Sequence, residues 1–177
     1  GGVQKLIRED DWPSDRPFVV LSPQHPGEGC HTAAETGALM EYALRNYDID
    51  PSRVYLTGLS CGGIGTWTHL GAFGNRYVAA AVPIAGNGRR AWTRGGCVMR
   101  DVAIWAFHGD ADARVDVSGT TNTVANLETC EGDDLKELRM TIYPGVPHDS
   151  WSRTYNGQAG HDIYTWLLGH RRDVIPD

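Results

Sequence analysis

The sequence predicts an α/β fold: a mainly parallel sheet with helices on both faces. Short apolar or β-branched runs alternate with amphipathic stretches of helical period along most of the chain. Several runs are apolar throughout, as strands covered on both faces are. Polar residues able to do chemistry fall just after the runs, where parallel strands point their carboxyl ends at a ligand.

In order, PFVVLSP (Pro17–Pro23) is a β-branched run closed by proline and reads as a buried strand. TAAETGALMEYALRNY (Thr32–Tyr47) spaces Leu39, Tyr42, Ala43 and Asn46 as a helix does. DPSR (Asp50–Arg53) is a turn, VYLTG (Val54–Gly58) a strand and GGIGTWTHLGAF (Gly62–Phe73) a helix. YVAAAVPIAG (Tyr77–Gly86) is a buried strand, followed by a glycine- and arginine-rich loop to Gly96. VAIWAFHG (Val102–Gly109) is a strand, and SGTTNTVANLETC (Ser118–Cys130) a helix opened by a serine cap. ELRMTIYPG (Glu137–Gly145) is the fifth strand and HDIYTWLLGH (His161–His170) the last helix. There is no internal repeat or low-complexity tract.

The 177 residues suit one domain. A net charge of −6 with acids and bases mixed argues against a nucleic-acid partner, which calls for a basic stripe. No apolar run is long enough to span a membrane, and the polar start GGVQKLIRED lacks the apolar core of a signal peptide. The cysteines Cys30, Cys61, Cys97 and Cys130 form no C-x-x-C pair, which argues against a zinc ribbon or a thioredoxin-like motif.

Ser60 and Cys61 stand side by side in VYLTGLSCGGIGTW (Val54–Trp67), and both residue types serve as nucleophiles. A nucleophile elbow, G-x-S-x-G, is a strained strand-to-helix turn with small residues two places before and after its tip. Around Ser60 those places hold Gly58 and Gly62; around Cys61 they hold Leu59 and Gly63. The spacing therefore selects Ser60 and leaves Cys61 to supply a backbone N–H to an oxyanion at the start of the next helix. A glycine-rich turn with no chemistry is the plain alternative. The order of the partners weighs against it: Asp110, Asp112 and Asp116 follow the VAIWAF strand, and His148 follows LRMTIYPG. A histidine takes the serine proton, and a carboxylate holds its tautomer and stabilises the imidazolium.

VYLTGLSCGGIGTW, VAIWAFHGDAD and TIYPGVPHDSW together resemble the α/β-hydrolase superfamily. The nearest group is the small serine esterases of carboxylesterase/phospholipase-like, dienelactone-hydrolase-like or predicted-peptidase type, related to poly(3-hydroxybutyrate) depolymerases and feruloyl esterases. The resemblance runs from PFVVLSPQHP to GHDIYTWLLGH. It implies ester hydrolysis through an acyl-enzyme with no metal or cofactor. It also puts the acid of an H-G-x-x-D pattern on Asp112 and the base on His148. One departure stands out: nothing before PFVVLSP reads as the strand and H-G loop that carry the second oxyanion donor in such enzymes. The chain thus resembles the C-terminal two-thirds of a larger hydrolase domain. The absent strand belongs between the Pro17–Pro23 run and the elbow strand, unless those two pair directly, with the 23–26 loop supplying the donor.

Gln24, Trp67 and Trp151 are candidate substrate-binding residues, with core packing the alternative for the tryptophans. His25, after the same run as Gln24, is a weaker candidate. His108 reads as structural, and Arg89, Arg90 and Arg94 as solvated, with an anionic substrate group the second reading. Cys97 precedes the strand that leads to Asp112, and Cys130 ends the helix after it. A helix returning along its strand brings the two together, so a Cys97–Cys130 disulfide is expected, with separate thiols the alternative. Such a bond implies secretion or a periplasmic location; a cytoplasmic one goes with free thiols. The expected partner is a small or polymer-attached ester. A serine peptidase of the same fold and a catalytically impaired binding module are the competing readings.

Overall fold

The computed structural model describes residues 2–13, 15–25 and 27–174. Four strands, β1 (Tyr55–Leu59), β2 (Ala80–Ile84), β3 (Ala103–Gly109) and β4 (Leu138–Tyr143), form one sheet in that spatial order, every pair parallel. One row of the register reads Leu56, Ala81, Ile104, Leu138. These side chains face a core built on Trp67, Leu70, Val124 and Leu127. The alternate residues Ala80, Val82, Ala103, Trp105 and Phe107 face a second core with Tyr155, Ile163 and Leu167. The period-2 alternation of a strand thus feeds two cores, and β2 and β3 are buried from end to end. The β2–β3 ladder pairs Ala80, Ala81 and Ile84 but skips Val82 and Pro83, since the proline has no N–H to donate.

Helices α1 (Val3–Arg8), α2 (Ala33–Asn46), α3 (Cys61–Phe73), α4 (Arg89–Gly95), α5 (Ser118–Glu128), α6 (Trp151–Tyr155) and α7 (Ile163–Leu168) cover the sheet. A capping box starts α2. Thr32 Oγ1 accepts from Glu35 N, and Glu35 Oε2 accepts from Thr32 N at 2.7 Å. Asp162 caps α7 by accepting from Tyr164 N and Thr165 N, so that helix is shorter than the run from His161 to His170 suggests. Near the start of the chain, α1 lies within the polar GGVQKLIRED stretch.

Three expectations are corrected. Residues 17–23 are irregular, not a strand, and Val19 is 56% exposed. A β-branched run becomes a strand only beside a strand it can pair with. Here β1 ends the sheet, and the run docks Phe18 against Tyr55 and Tyr164 instead. The 86–96 segment is not simply a loop but contains α4. Its glycines serve helix contact: a Cβ on Gly95 would lie 2.2 Å from Gly71 O, and one on Gly71 2.7 Å from Ala91 O. Ser118 does not cap α5 but is its first helical residue. Val117 holds the capping position without a side-chain bond, and Asp116 Oδ1 accepts from Ser118 N.

Candidate active site

The elbow joins β1 to α3 at Ser60, whose φ of 52° and ψ of −117° lie outside the regions that side chains favour. Such a backbone costs about 1–3 kcal/mol and persists only where its surroundings enforce it. Ser60 N donates to Ile84 O of β2 at 2.9 Å, while Ile64 N donates to Ser60 O and begins the helix. The glycine requirement falls partly where the motif puts it. A Cβ on Gly58 would sit 2.3 Å from Gly62 O, and one on Gly63 2.5 Å from Ile84 O. One on Gly62 would meet nothing within 4 Å, so the second steric glycine is Gly63 and not Gly62.

The loops after β3 and β4 bring Asp112 and His148 to Ser60. Ser60 Oγ lies 2.9 Å from His148 Nε2, and His148 Nδ1 lies 2.7 Å from Asp112 Oδ2. Asp112 Oδ1 accepts from Arg114 N at 2.8 Å and Val115 N at 2.9 Å. Burial pushes the Asp112 carboxyl up, but the bonds from His148, Val115 and Arg114 outweigh it and hold the group below the usual carboxylate range. An ionised carboxylate only accepts, so His148 donates to Asp112 from Nδ1, and Nε2 faces the serine hydroxyl. The other two aspartates are engaged elsewhere. Asp110 Oδ1 accepts from Gly145 N, and Asp116 accepts from Ser118.

Cys61 is the first residue of α3, so its N–H is one of those without a partner inside the helix. Its sulfur is bonded to Cys30, a pairing the sequence reading did not select; Cys97 and Cys130 form a second disulfide. The signal for the first was available only in three dimensions, since nothing in the spacing brings residue 30 to the elbow.

The substrate-binding candidates separate. Trp67 is fully buried in the core against Gly88, which removes it from any substrate surface. Trp151 sets its ring edge-on to His148, with the centroids 5.0 Å apart. Gln24 is exposed, with no hydrogen bond among the described residues, and position 26 of the neighbouring loop lies outside them. His25 bonds to Gly27 O and lies 3.5 Å from Glu35. A groove of about 820 Å³ runs along α3 from Cys30 and Ile64 to Ala72, walled by Arg90 and Arg94 of α4. His108, read as structural, touches Asp112 through Nε2 at 3.0 Å and is the site residue the sequence reading missed. No three His, Cys, Asp or Glu among the described residues are placed to hold a metal, and no described helix is long and apolar enough to cross a membrane.

A parallel sheet with a serine at a strained strand-to-helix turn, and an acid and a histidine on the loops after β3 and β4, defines the chain as an α/β-hydrolase fold, with part of the full sheet present. No protein-family model matches it. It is 26% identical over 193 residues to poly(3-hydroxyalkanoate) depolymerase C of Paucimonas lemoignei, covering 92% of this chain and 46% of that protein. A thermostable esterase of known structure superposes with a TM-score of 0.64 at 33% identity, over 77% of this chain and 36% of the esterase. SOBER1 of Arabidopsis thaliana superposes with a TM-score of 0.59 at 17% identity, over 77% of this chain and 61% of SOBER1. The chain therefore spans less than two-thirds of each of these proteins.

Proposed function

We propose that the chain carries the catalytic residues of a serine esterase that cleaves carboxylic esters through an acyl-enzyme. The carrying observation is the unbroken line Ser60 Oγ–His148 Nε2 and His148 Nδ1–Asp112 Oδ2, at 2.9 and 2.7 Å. On this reading Ser60 Oγ attacks the ester carbonyl as its proton passes to His148 Nε2. Asp112, already ionised, faces the imidazolium so formed. The carbonyl oxygen gathers negative charge beside Cys61 N–H, where the start of α3 favours it. Collapse expels the alcohol, which takes the proton from His148. Water then repeats the sequence on the acyl-serine and frees the acid and Ser60.

The substrate on this reading is a carboxylic ester, small or polymer-attached. The likeness to a poly(3-hydroxyalkanoate) depolymerase and to a thermostable esterase supports ester over amide substrates. Two disulfides support secretion or a periplasmic location.

The test is turnover of p-nitrophenyl acetate together with labelling by a fluorophosphonate. Ser60→Ala should lose on the order of 10⁴ in rate or more, since the three residues act as a unit. Labelling should map to Ser60. A label elsewhere, or full activity in Ser60→Ala, would reject the reading.

A further inference from the structure

Asp112 accepts four hydrogen bonds, from Arg114 N, Val115 N, His148 Nδ1 and His108 Nε2. The last comes from a side chain that the acyl-enzyme scheme above does not use. His108 lies on β3, is 0% exposed, and has Nε2 3.0 Å from Asp112 Oδ2 and 2.9 Å from Val115 O. A carbonyl and an ionised carboxylate only accept, so Nε2 carries a proton and shares it between them. On the other side of the ring, Nδ1 lies 2.8 Å from Thr120 Oγ1 of α5, and that hydroxyl reaches Gly86 O at 2.9 Å. The ring is therefore fixed from the strand, the helix and the loop at once. Its Nε2 meets the same oxygen, Oδ2, that receives His148. The charged groups around it are Asp112 and Asp116 of the loop after β3, Arg89 beyond Asp116, and His148 across Oδ2. From α5 it meets only the uncharged Thr120.

We propose that His108 is a positioning residue for Asp112: it fixes Oδ2 in the line of His148 Nδ1 and tempers the charge that this oxygen presents to His148. The proposal rests on reading Ser60, His148 and Asp112 as the reacting set. A hydrogen bond donated to one carboxylate oxygen draws charge from it, so Oδ2 stabilises the His148 imidazolium less than an unshared oxygen would. The same bond, with the two backbone N–H groups on Oδ1, leaves the carboxylate no freedom to turn. A histidine serving packing alone needs only Thr120 and Val115 O as partners; contact with the reacting carboxylate is the additional observation.

Two polar replacements separate the roles. The amide nitrogen of glutamine sits near imidazole Nε2 and reaches Asp112, whereas that of asparagine sits near Nδ1, beside Thr120, and falls short. His108→Asn should lower kcat on p-nitrophenyl acetate roughly ten- to hundredfold, the size of one hydrogen bond to a charged group, with KM within about twofold. It should also move the acid limb of the rate profile, and the midpoint of His148 read by NMR, upward by roughly a unit. His108→Gln should return both toward wild type. Equal behaviour of the two folded variants, or an unmoved His148 midpoint in His108→Asn, overturns the proposal.

In the wild-type chain, the low-field Nε2–H resonance of His108 should move with the midpoint of His148, because both donate to one oxygen. A resonance indifferent to His148 overturns it without any variant. The NMR arms need no substrate. If no ester is turned over while His148 and His108 still report on each other, the esterase reading fails and the coupling stands.

Discussion

The sulfur of Cys61, the residue directly after Ser60, is bonded to that of Cys30, and the two Cα atoms are 4.8 Å apart. The bond ties the start of α3 to the chain just before α2, across a sequence separation of 31 residues. Its effect on stability and its effect on chemistry are separable. The proposed contribution of Cys61 to the reaction is a backbone N–H, which every residue but proline supplies. The double replacement Cys30→Ser with Cys61→Ser should therefore lower stability by about 2–4 kcal/mol, as loss of a bond closing a loop of this length does. Hydrolysis at 25 °C should stay within about tenfold of wild type, since no hydrogen bond to a charged group is lost. Thermal melts and p-nitrophenyl acetate turnover measure both. A thousandfold loss in a folded variant would mean that the side chain, and not the N–H, serves the site.

The two glycines flanking Ser60 at equal distance should respond oppositely to an added methyl. At Gly58 the new Cβ would lie 2.3 Å from the carbonyl oxygen of Gly62, a contact that no rotamer relieves. Gly58→Ala should unfold the elbow, with loss of soluble protein or of more than about 3 kcal/mol, as overpacking against backbone does. At Gly62 the methyl points into open space, and the residue sits in the first turn of α3, where alanine is the better helix former. Gly62→Ala should fold at least as well as wild type. Equal damage from both would show that the motif's symmetry, rather than these contacts, governs the turn.

What was legible in the sequence follows from what is local. The elbow, β3 and α2 carry their signals within a few residues: glycines at fixed spacing, an uninterrupted apolar run, and the helical spacing of Leu39, Tyr42 and Ala43. Residues 17–23 misled because strand formation depends on a neighbour, and β-branched composition does not say whether one is present. The α4 segment was obscured by glycines that look like loop punctuation but allow two helices to touch. Trp67 was misplaced because an indole a few residues past the nucleophile elbow can read as core or as pocket wall. The contact of His108 with Asp112 and the Cys30–Cys61 bond join separate elements, and no one-dimensional spacing encodes them.

Among the three aspartates after β3, only Asp112 is turned toward His148. Asp112→Asn should preserve the fold, since the backbone N–H groups of Arg114 and Val115 can still donate to an amide oxygen. It should nevertheless slow hydrolysis by roughly 10³–10⁴, because the neutral amide no longer holds the Nδ1–H tautomer or balances the imidazolium. Asp110→Asn should be mild, because its single bond to Gly145 N survives the exchange. Steady-state kinetics of the two variants decide the assignment, and a larger loss in Asp110→Asn would overturn it.

The last prediction concerns pH and stability, and it rests on a histidine far from the chemistry. His69 of α3 is fully buried, Nδ1 lies 2.9 Å from Thr36 Oγ1, and Nε2 has no hydrogen-bond partner. Burial pushes its pKa down to about 4. In the unfolded chain the same group titrates near its ordinary value of about 6.5. Above that value both states are neutral and the histidine costs nothing in pH-dependent stability. As pH falls below it, the unfolded chain takes up a proton that the folded chain refuses, so stability declines until the folded state also protonates near pH 4. The full difference is on the order of 3 kcal/mol. The urea midpoint should therefore fall between pH 7 and pH 4, before most carboxylates titrate. His69→Leu, which fills the same apolar site and leaves Thr36 to its bonds with Thr32 O and Ala33 O, should flatten that part of the curve. An unchanged slope in a folded His69→Leu would assign the acid sensitivity elsewhere, with His170, whose pKa burial also lowers, the next group to replace.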